Sequence, residues 1–281
     1  MRDKRYLDPT NDSLFKKIFS DTESLKEFLN AILDLPPMFR IKEIEYIPFQ
    51  QLPIIHHGKS SSFDLKVKDE SGNWYIIEMQ KKSEADYLKR VQYYAAHSYT
   101  SQLKIGGQHA DLLPIVVISL IKNTMFGEEI PCISFHKTME TTTKKQCLFD
   151  FSYVFIELGK FNKQTLSNIA DEWLHMFKCA IEENEPPTYV KSKKVLEAYH
   201  AIEMHGLSVD EYDLYIRTKL FEDGQELAIE EGFNKGFNKG IEQGKVEIVK
   251  NMLFRSMDNQ TISELTGLSA EEVENLKSFL Q

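Results

Sequence analysis

The hydrophobic residues in the first part of the chain follow two different spacings, which predict helices and strands in turn. Residues 10–34 carry apolar side chains at helical spacing, with a break near Asp21 as an alternative to one continuous helix. Residues 84–104 show the same helical spacing. Alternating or short apolar runs between them predict three strands. These strands are residues 41–49, 62–68 and 74–80.

The next segment predicts a strand that is covered on both of its faces. After Pro114 the chain continues with the apolar run IVVISLI, which is typical of a buried strand. Further strands are predicted over residues 130–136 and 147–158. Strands and helices in this order predict an α/β fold, in which helices flank a mixed β-sheet.

From about residue 163 onward the pattern is helical. Residues 163–184 and 190–205 predict two amphipathic helices, and residues 208–255 predict one long helical stretch. Residues 259–280 predict a helix, a turn that contains glycine, and a second helix. We therefore expect an all-helical C-terminal region after the α/β core.

The long helical stretch contains an unusual four-residue repeat, EEGFNKGFNKGIEQGK. At this spacing its glycines and its apolar residues form adjoining stripes on a helix, which would let a second helix approach closely. A flexible linker of low complexity is an equally open interpretation. The two stripes consist of Gly232, Gly236, Gly240 and Gly244, and of Phe233, Phe237 and Ile241.

Composition excludes several protein classes. The 281 residues are 42% hydrophobic and 27% charged, which excludes a disordered chain, a collagen and a disulfide-stapled mini-protein. The three cysteines, Cys132, Cys147 and Cys179, are far apart and form no CxxC pair, which predicts reduced thiols. No apolar stretch is long enough to cross a membrane. These features predict a soluble protein of the cytoplasm.

Charge is distributed unevenly along the chain. The net charge is -9, and residues 201–281 carry 16 acidic against 8 basic side chains. We therefore expect contacts with a polyanion to come from the first two-thirds of the chain. The second helix of the terminal helix-turn-helix pattern is also acidic, which favours a packing module over a DNA-reading helix.

The segment around the turn DESGN places two carboxylates opposite each other. If the five-residue loop is symmetric, Asp64 pairs across the hairpin with Glu78, and their Cβ atoms lie about 5 Å apart. Facing carboxylates are destabilising unless one is protonated or a cation lies between them. A divalent ion with oxygen ligands, Mg²⁺ or Mn²⁺, satisfies both, and Gln80 faces the same site. An ordinary solvent-exposed hairpin face is the alternative interpretation.

Four segments in order carry a resemblance to a known family. They are LDPTNDSLFKKIFSD, FDLKV, IIEMQ and KRVQYYAAHSY. Together they resemble the Rpn family of recombination-promoting nucleases, also described as transposases, within the PD-(D/E)xK nuclease superfamily. The resemblance covers roughly residues 7–125, and the glycine-repeat tail is also typical of the family.

The resemblance implies roles for individual residues. Asp64 and Glu78 match the two metal-binding acids, and Gln80 stands where most of the superfamily has a catalytic lysine. Lys66 and Lys82 are candidates to supply a cation to the same site.

Residues on two helices complete the implied site. Arg90 and Tyr94 match the arginine and tyrosine of the helix after the acids, where phosphate contact or site support is expected. Asp12 and Lys16 match the motif of the first helix. Asp12 is a candidate accessory acid, although a simple helix cap is the favoured interpretation.

The implied function is metal-dependent hydrolysis of DNA phosphodiester bonds, linked to recombination, transposition or defence against mobile elements and phage. We expect three parts: a nuclease core over 1–160, a helical extension over 161–220 and a tail over 221–281. The stripes predict a homodimer through residues 221–255. The alternatives are a non-catalytic DNA-binding or regulatory protein, and an assembly protein that acts through its helical tail.

Overall fold

The computed structural model divides the chain into two compact units, Met1–Thr218 and Lys219–Gln281. None of the helices in the described parts of the chain has the length and apolar character needed to span a membrane. The structure describes residues 4–47, 64–81, 86–103, 106–162 and 165–280.

A mixed sheet of six described strands forms the centre of the first unit. Their order across the sheet is β1-β2-β3-β4-β6-β5. Strands β3, β4 and β6 run parallel, and the remaining neighbours pair in antiparallel fashion. The bounds are β1 Ile44–Tyr46, β2 Leu65–Asp69, β3 Trp74–Gln80, β4 Ile115–Ile121, β5 Ile133–Lys137 and β6 Phe151–Glu157.

Five α-helices that lie wholly within the described part of this unit accompany the sheet. The predicted break near Asp21 is confirmed, because the Asp21 carboxylate accepts hydrogen bonds from the backbone N–H groups of Glu23 and Ser24 and so caps a second helix. The bounds are α1 Asp12–Ile18, α2 Thr22–Ile32, α3 Tyr87–Thr100, α4 Ile169–Cys179 and α5 Lys193–Ala201.

Alternate residues of the strands point into two separate hydrophobic cores. On one face, Val67 and Ile77 pack with residues of α1, α2, α4 and α5. On the other face, Ile76 and Val117 pack with residues of α3, which include Val91. Both faces of β4 are therefore covered, as its apolar run predicts, and the α/β fold class is confirmed.

The helices after residue 160 share the first core. The Trp173 ring of α4 lies 5.6 Å from the ring of Phe19 and 5.8 Å from that of Phe28. Aromatic contacts of this kind join α4 to α1 and α2 across a long stretch of sequence. The first compact unit therefore includes these helices and continues to Thr218.

Helix α6, Val209–Phe254, begins in the first unit and ends in the second. The glycine repeat is helical throughout, which excludes the interpretation as a flexible linker. Helices α7, Asn259–Thr266, and α8, Ala270–Leu280, follow, and Gly267 between them has a φ of 71° in the left-handed region. Val249, Ile262 and Val273 form the small core of this module, so the predicted helix, glycine turn and helix are confirmed.

We expect Trp173→Ala to lower the free energy of unfolding of the first unit by about 3–5 kcal/mol, because it removes a fully buried ring from the shared core. Urea unfolding of the full chain, followed by circular dichroism, measures this change. Phe149→Ala is the matched control, since that ring is 64% exposed and its loss is expected to change little. Equal effects of the two substitutions would show that α4 does not belong to the core.

Candidate functional site

The hairpin of β2 and β3 has the register that the sequence predicts. Leu65 pairs with Ile77 and Lys68 pairs with Trp74. The turn is closed by the N–H of Asp69, which donates to the carbonyl of Asn73 at 3.0 Å. This register fixes which residues of the two strands lie opposite each other at the open end of the hairpin.

Asp64, immediately before β2, therefore lies beside the end of β3. Its Oδ2 accepts a hydrogen bond from the backbone N–H of Met79 at 2.6 Å. Burial raises the pKa of Asp64 to about 7. Asp12 adds to this rise in pKa, whereas the Met79 N–H and the charge of Lys16 oppose it.

Glu78 is the second carboxylate and is only 6% exposed. Burial raises the pKa of Glu78 to about 8, and the charge of Asp64 adds to the rise, while Arg90 and Lys16 oppose it. Its Oε1 is buried and has no hydrogen-bond partner among the described residues. Two carboxylates that interact at a buried position, one with an unsatisfied oxygen, form a site that favours a cation.

Helix α1 brings a third carboxylate and a cation to this position. Lys16 Nζ lies 2.6 Å from Asp12 Oδ1 and 3.8 Å from Asp64 Oδ1. The cap role favoured for Asp12 belongs instead to Asn11, whose side chain accepts from the N–H of Ser13. Asp12 is the first residue of the helix proper, one position later, and its side chain turns toward the site.

Helix α3 supplies the groups on the other side. Arg90 Nη2 donates to Gln80 Oε1 at 2.8 Å, and the guanidinium lies 5.1 Å from the centre of the Tyr87 ring. Gln80 is the last residue of β3 and is 6% exposed. Tyr94, one turn after Arg90, is buried in the core that α3 forms with the sheet. The structure thus brings Gln80 and Arg90 together beside the acids.

Of the two lysines expected to supply a cation to the site, Lys66 points away from it. Lys66 Nζ lies 4.0 Å from the centre of the Trp74 ring, so its ammonium points toward the turn and away from Glu78. Burial lowers the pKa of Lys66 to about 8. Lys82 lies outside the described residues.

Several residues near the site were not identified from the sequence. Ser119 of β4 pairs with Glu78 in the parallel register, and Tyr87 begins α3 on the same face. Lys122 follows β4, donates its N–H to the carbonyl of Gln80 at 2.9 Å and forms an ion pair with Asp8 at 3.0 Å. Ser119 could have been noticed, because it is the polar residue in an apolar run, whereas Tyr87 looks like an ordinary core position.

Asp64 and Glu78 are suitable ligands for a hard divalent cation. In the described part of the chain, no group of three or more His, Cys, Asp or Glu side chains is arranged to hold a metal ion. Mg²⁺, however, is commonly held by one or two carboxylates, with water and substrate phosphate as the other ligands. The unsatisfied Glu78 Oε1 and the buried carboxylate of Asp64 meet that requirement.

Burial raises the pKa of the Tyr87 hydroxyl, the nearby Ser119 hydroxyl opposes the rise, and the charge of Glu78 adds to it. The hydroxyl oxygens of Tyr87 and Ser119 are both buried and, like Glu78 Oε1, have no hydrogen-bond partner among the described residues. Three unsatisfied oxygens therefore lie at neighbouring positions of β3, β4 and α3.

Comparison with protein families gives two matches. Residues 9–232 match the model described as PD-(D/E)XK nuclease family transposase. Residues 242–278 match the model described as the C-terminal HTH domain of the Rpn/YhgA-like nuclease family. No curated protein and no solved structure matches the chain.

The second match confirms the helix-turn-helix pattern that the sequence predicts for the terminal helices. The acidic residues of α8 bear on what this domain contacts and not on its fold. Helices α7 and α8, joined at Gly267, belong to the segment that this family model matches. The first match covers more than half of the chain and includes Asp64, Glu78, Gln80 and Arg90. The chain therefore belongs to the PD-(D/E)XK nuclease family transposases, with an Rpn/YhgA-like helix-turn-helix domain at its C-terminal end.

Proposed function

We propose that the protein is a metal-dependent DNA endonuclease that hydrolyses phosphodiester bonds with Mg²⁺ or Mn²⁺. The observation that carries this proposal is the buried pair of Asp64 and Glu78, in which Glu78 Oε1 has no partner among the described residues. Such a pair is unfavourable in the protein alone and favourable around a divalent cation. The family membership supports a nuclease.

In this proposal Asp64 and Glu78 hold the cation, and Asp12 is an accessory acid next to Asp64. When bound, the cation lowers the pKa of a coordinated water molecule and offsets negative charge on the phosphate. Lys16, between Asp12 and Asp64, offsets the charge of the acids and is available to contact a DNA phosphate. Tyr94 supports the site by packing α3 on the sheet.

Gln80 has a different role from the lysine that is common at this place in the superfamily. A neutral amide cannot take up a proton at physiological pH, so Gln80 orients the attacking water and does not deprotonate it. The hydrogen bond from Arg90 fixes the Gln80 amide and places the guanidinium next to the acids. We assign Arg90 to this positioning and to contact with the phosphate.

We propose that the helix-turn-helix domain also contacts DNA, which the family description supports. This domain would be a second DNA-contacting region in addition to the nuclease core. It lies in the acidic part of the chain, where net charge argues against contact with DNA. The transposase description supports a role in recombination or transposition. We also propose a location in the cytoplasm, which is supported by the absence of disulfide bonds at Cys132, Cys147 and Cys179 in the described part of the chain.

We further propose a homodimer through residues 221–255. Three side chains that follow the repeat, Phe233, Phe237 and Ile241, are 69%, 59% and 45% exposed. The two phenylalanine rings stack with their centres 6.0 Å apart. No atom lies within 4 Å of the position where a Cβ would stand on Gly232, Gly236, Gly240 or Gly244. A second copy of the helix would cover both stripes, and two-fold symmetry would present one active site to each DNA strand.

We expect Asp64→Asn to reduce plasmid nicking by about 100-fold or more, because a metal ion contributes several kcal/mol to such a reaction. The substitution keeps an oxygen that can accept the Met79 N–H, so the fold is expected to persist. The assay measures nicking of supercoiled plasmid with Mg²⁺, with Mn²⁺ and with EDTA. Glu45→Gln is the control, since this exposed acid of β1 pairs with Lys68 at 2.8 Å in the same sheet. Wild-type nicking by the Asp64→Asn chain would remove the proposed metal ligand.

We expect Glu78→Gln to raise the melting temperature at pH 8.5 by about 3 °C or more without metal, and to change it little at pH 4.5. Since the pKa of Glu78 is raised from 4.5 to about 8 on folding, stability falls as the pH rises between these values. The glutamine variant does not titrate and avoids this loss. Thermal unfolding across the pH range measures the difference.

Mg²⁺ is expected to stabilise the wild type at pH 8.5 and to stabilise the variant much less. Glu203→Gln is the control, because Arg5 lies 2.7 Å from Glu203 and lowers the pKa of that carboxyl. That substitution should not stabilise the chain at high pH. If the Glu78→Gln chain were no more stable than the wild type at pH 8.5, the charged form of Glu78 would not destabilise the fold.

We expect the double substitution Phe233→Asp and Phe237→Asp to give a folded monomer, because buried like charges would separate two copies of the helix. Light scattering of the full chain at several concentrations measures the mass. Phe149→Asp, which changes an exposed ring outside the repeat, should leave the mass unchanged. A wild-type chain that stays monomeric at high concentration would show that the stripes do not mediate self-association.

A further inference from the structure

The unsatisfied oxygens around Glu78 belong to three different elements. They are Glu78 Oε1 of β3, Ser119 Oγ of β4 and Tyr87 Oη of α3, and none has a hydrogen-bond partner among the described residues. Buried polar groups are normally paired, so each exception calls for an explanation. Because these three oxygens lie at neighbouring positions, one explanation should account for all of them.

The positions of these groups allow them to interact. Glu78 and Ser119 are partners in the parallel register of β3 and β4, whose backbones lie about 4.8 Å apart. Tyr87 begins the helix that covers this face of the sheet, and its hydroxyl lies close enough to Ser119 and Glu78 for both to shift its pKa. Ser119 and Tyr87 are both 0% exposed. Neither residue is therefore exposed to bulk solvent.

The chemistry of the three groups is complementary. A serine or tyrosine hydroxyl has one proton to donate, and an ionised carboxylate only accepts. A buried hydroxyl without a partner destabilises the fold, and phenylalanine or alanine at these positions would avoid that loss. The hydroxyls are therefore better explained by an interaction that forms when Glu78 carries its charge.

We propose that Tyr87 and Ser119 are positioning residues for Glu78, and that their hydroxyls donate hydrogen bonds to its carboxylate when it binds a divalent cation. These hydrogen bonds would fix the orientation of the carboxylate and direct an oxygen toward the cation. The inference rests on the proposed metal-dependent function. It adds two residues to the site that neither contact DNA nor bind the metal directly.

The test uses Tyr87→Phe and Ser119→Ala in the full-length chain, with Mn²⁺ as the probe. Titration calorimetry or electron paramagnetic resonance gives the Mn²⁺ affinity without DNA and without turnover. We expect each substitution to weaken Mn²⁺ binding about tenfold, as loss of a hydrogen bond to a metal ligand commonly does. We expect the melting temperature without metal to stay the same or rise, because an unpaired buried hydroxyl is removed.

The chain offers a matched control for each variant. Tyr75→Phe removes a buried hydroxyl that donates to Asp69 Oδ2 at 2.8 Å, so it should lower the melting temperature and leave Mn²⁺ affinity unchanged. Ser98→Ala removes another buried serine hydroxyl without a partner among the described residues. Ser98 lies on α3, about 16 Å along the helix from Tyr87, so Mn²⁺ affinity should again stay unchanged.

The outcomes separate the inference from the function on which it rests. A wild-type chain that binds no Mn²⁺ overturns both. A wild-type chain that binds Mn²⁺, with Tyr87→Phe and Ser119→Ala binding equally well, overturns the inference alone. Weaker binding by Ser98→Ala to the same extent would also overturn it, because the effect would then be general. If Tyr87→Phe fails to fold, Ser119→Ala decides the matter on its own.

Discussion

The structure of the site depends on the energetic cost of holding Asp64 and Glu78 together in a buried place. Their interaction raises the pKa of Glu78, and burial raises the pKa of both carboxyls. A fold optimised only for stability would replace one of them. The arrangement around them offsets part of the cost, because Lys16 approaches from one side and Arg90 from the other. A bound cation would offset the remaining cost of burying the two carboxylates.

The two-sided sheet makes this partial compensation possible. Helices α1 and α3 pack against opposite faces, and each brings a cation to the end of β3. The aromatic core beneath α1 includes Trp173, which comes from a segment far along the chain. The placement of Lys16 thus relies on helices that follow the nuclease strands in sequence.

The spacing of apolar and polar residues along the chain was sufficient to predict much of the fold and of the acid pair. The symmetric turn correctly gave the register of β2 and β3, and the spacing of apolar residues gave the strands and most helices. Features that depend on distant contacts were not predictable in this way. The turning of Asp12 toward Asp64 is set by tertiary packing, because the two residues lie in α1 and just before β2, far apart in the sequence. The helices α7 and α8 were also predictable, because the glycine that ends α7 is a local signal.

The five-residue turn DESGN has a consequence for which changes of length the chain can tolerate. Surface turns usually accept insertions, but side chains of a strand alternate between faces. If one residue were added to or removed from this turn, the pairing of β2 with β3 would shift by one position. Glu78 would then point toward the core of α1 and α2, and Asp64 would face an apolar neighbour. Hydrogen bonds within the turn stabilise its five-residue conformation. Asp69 Oδ1 accepts hydrogen bonds from the N–H groups of Ser71 and Asn73. Under the proposed function, a change in the length of this turn should therefore impair the site as much as a substitution of Asp64 or Glu78.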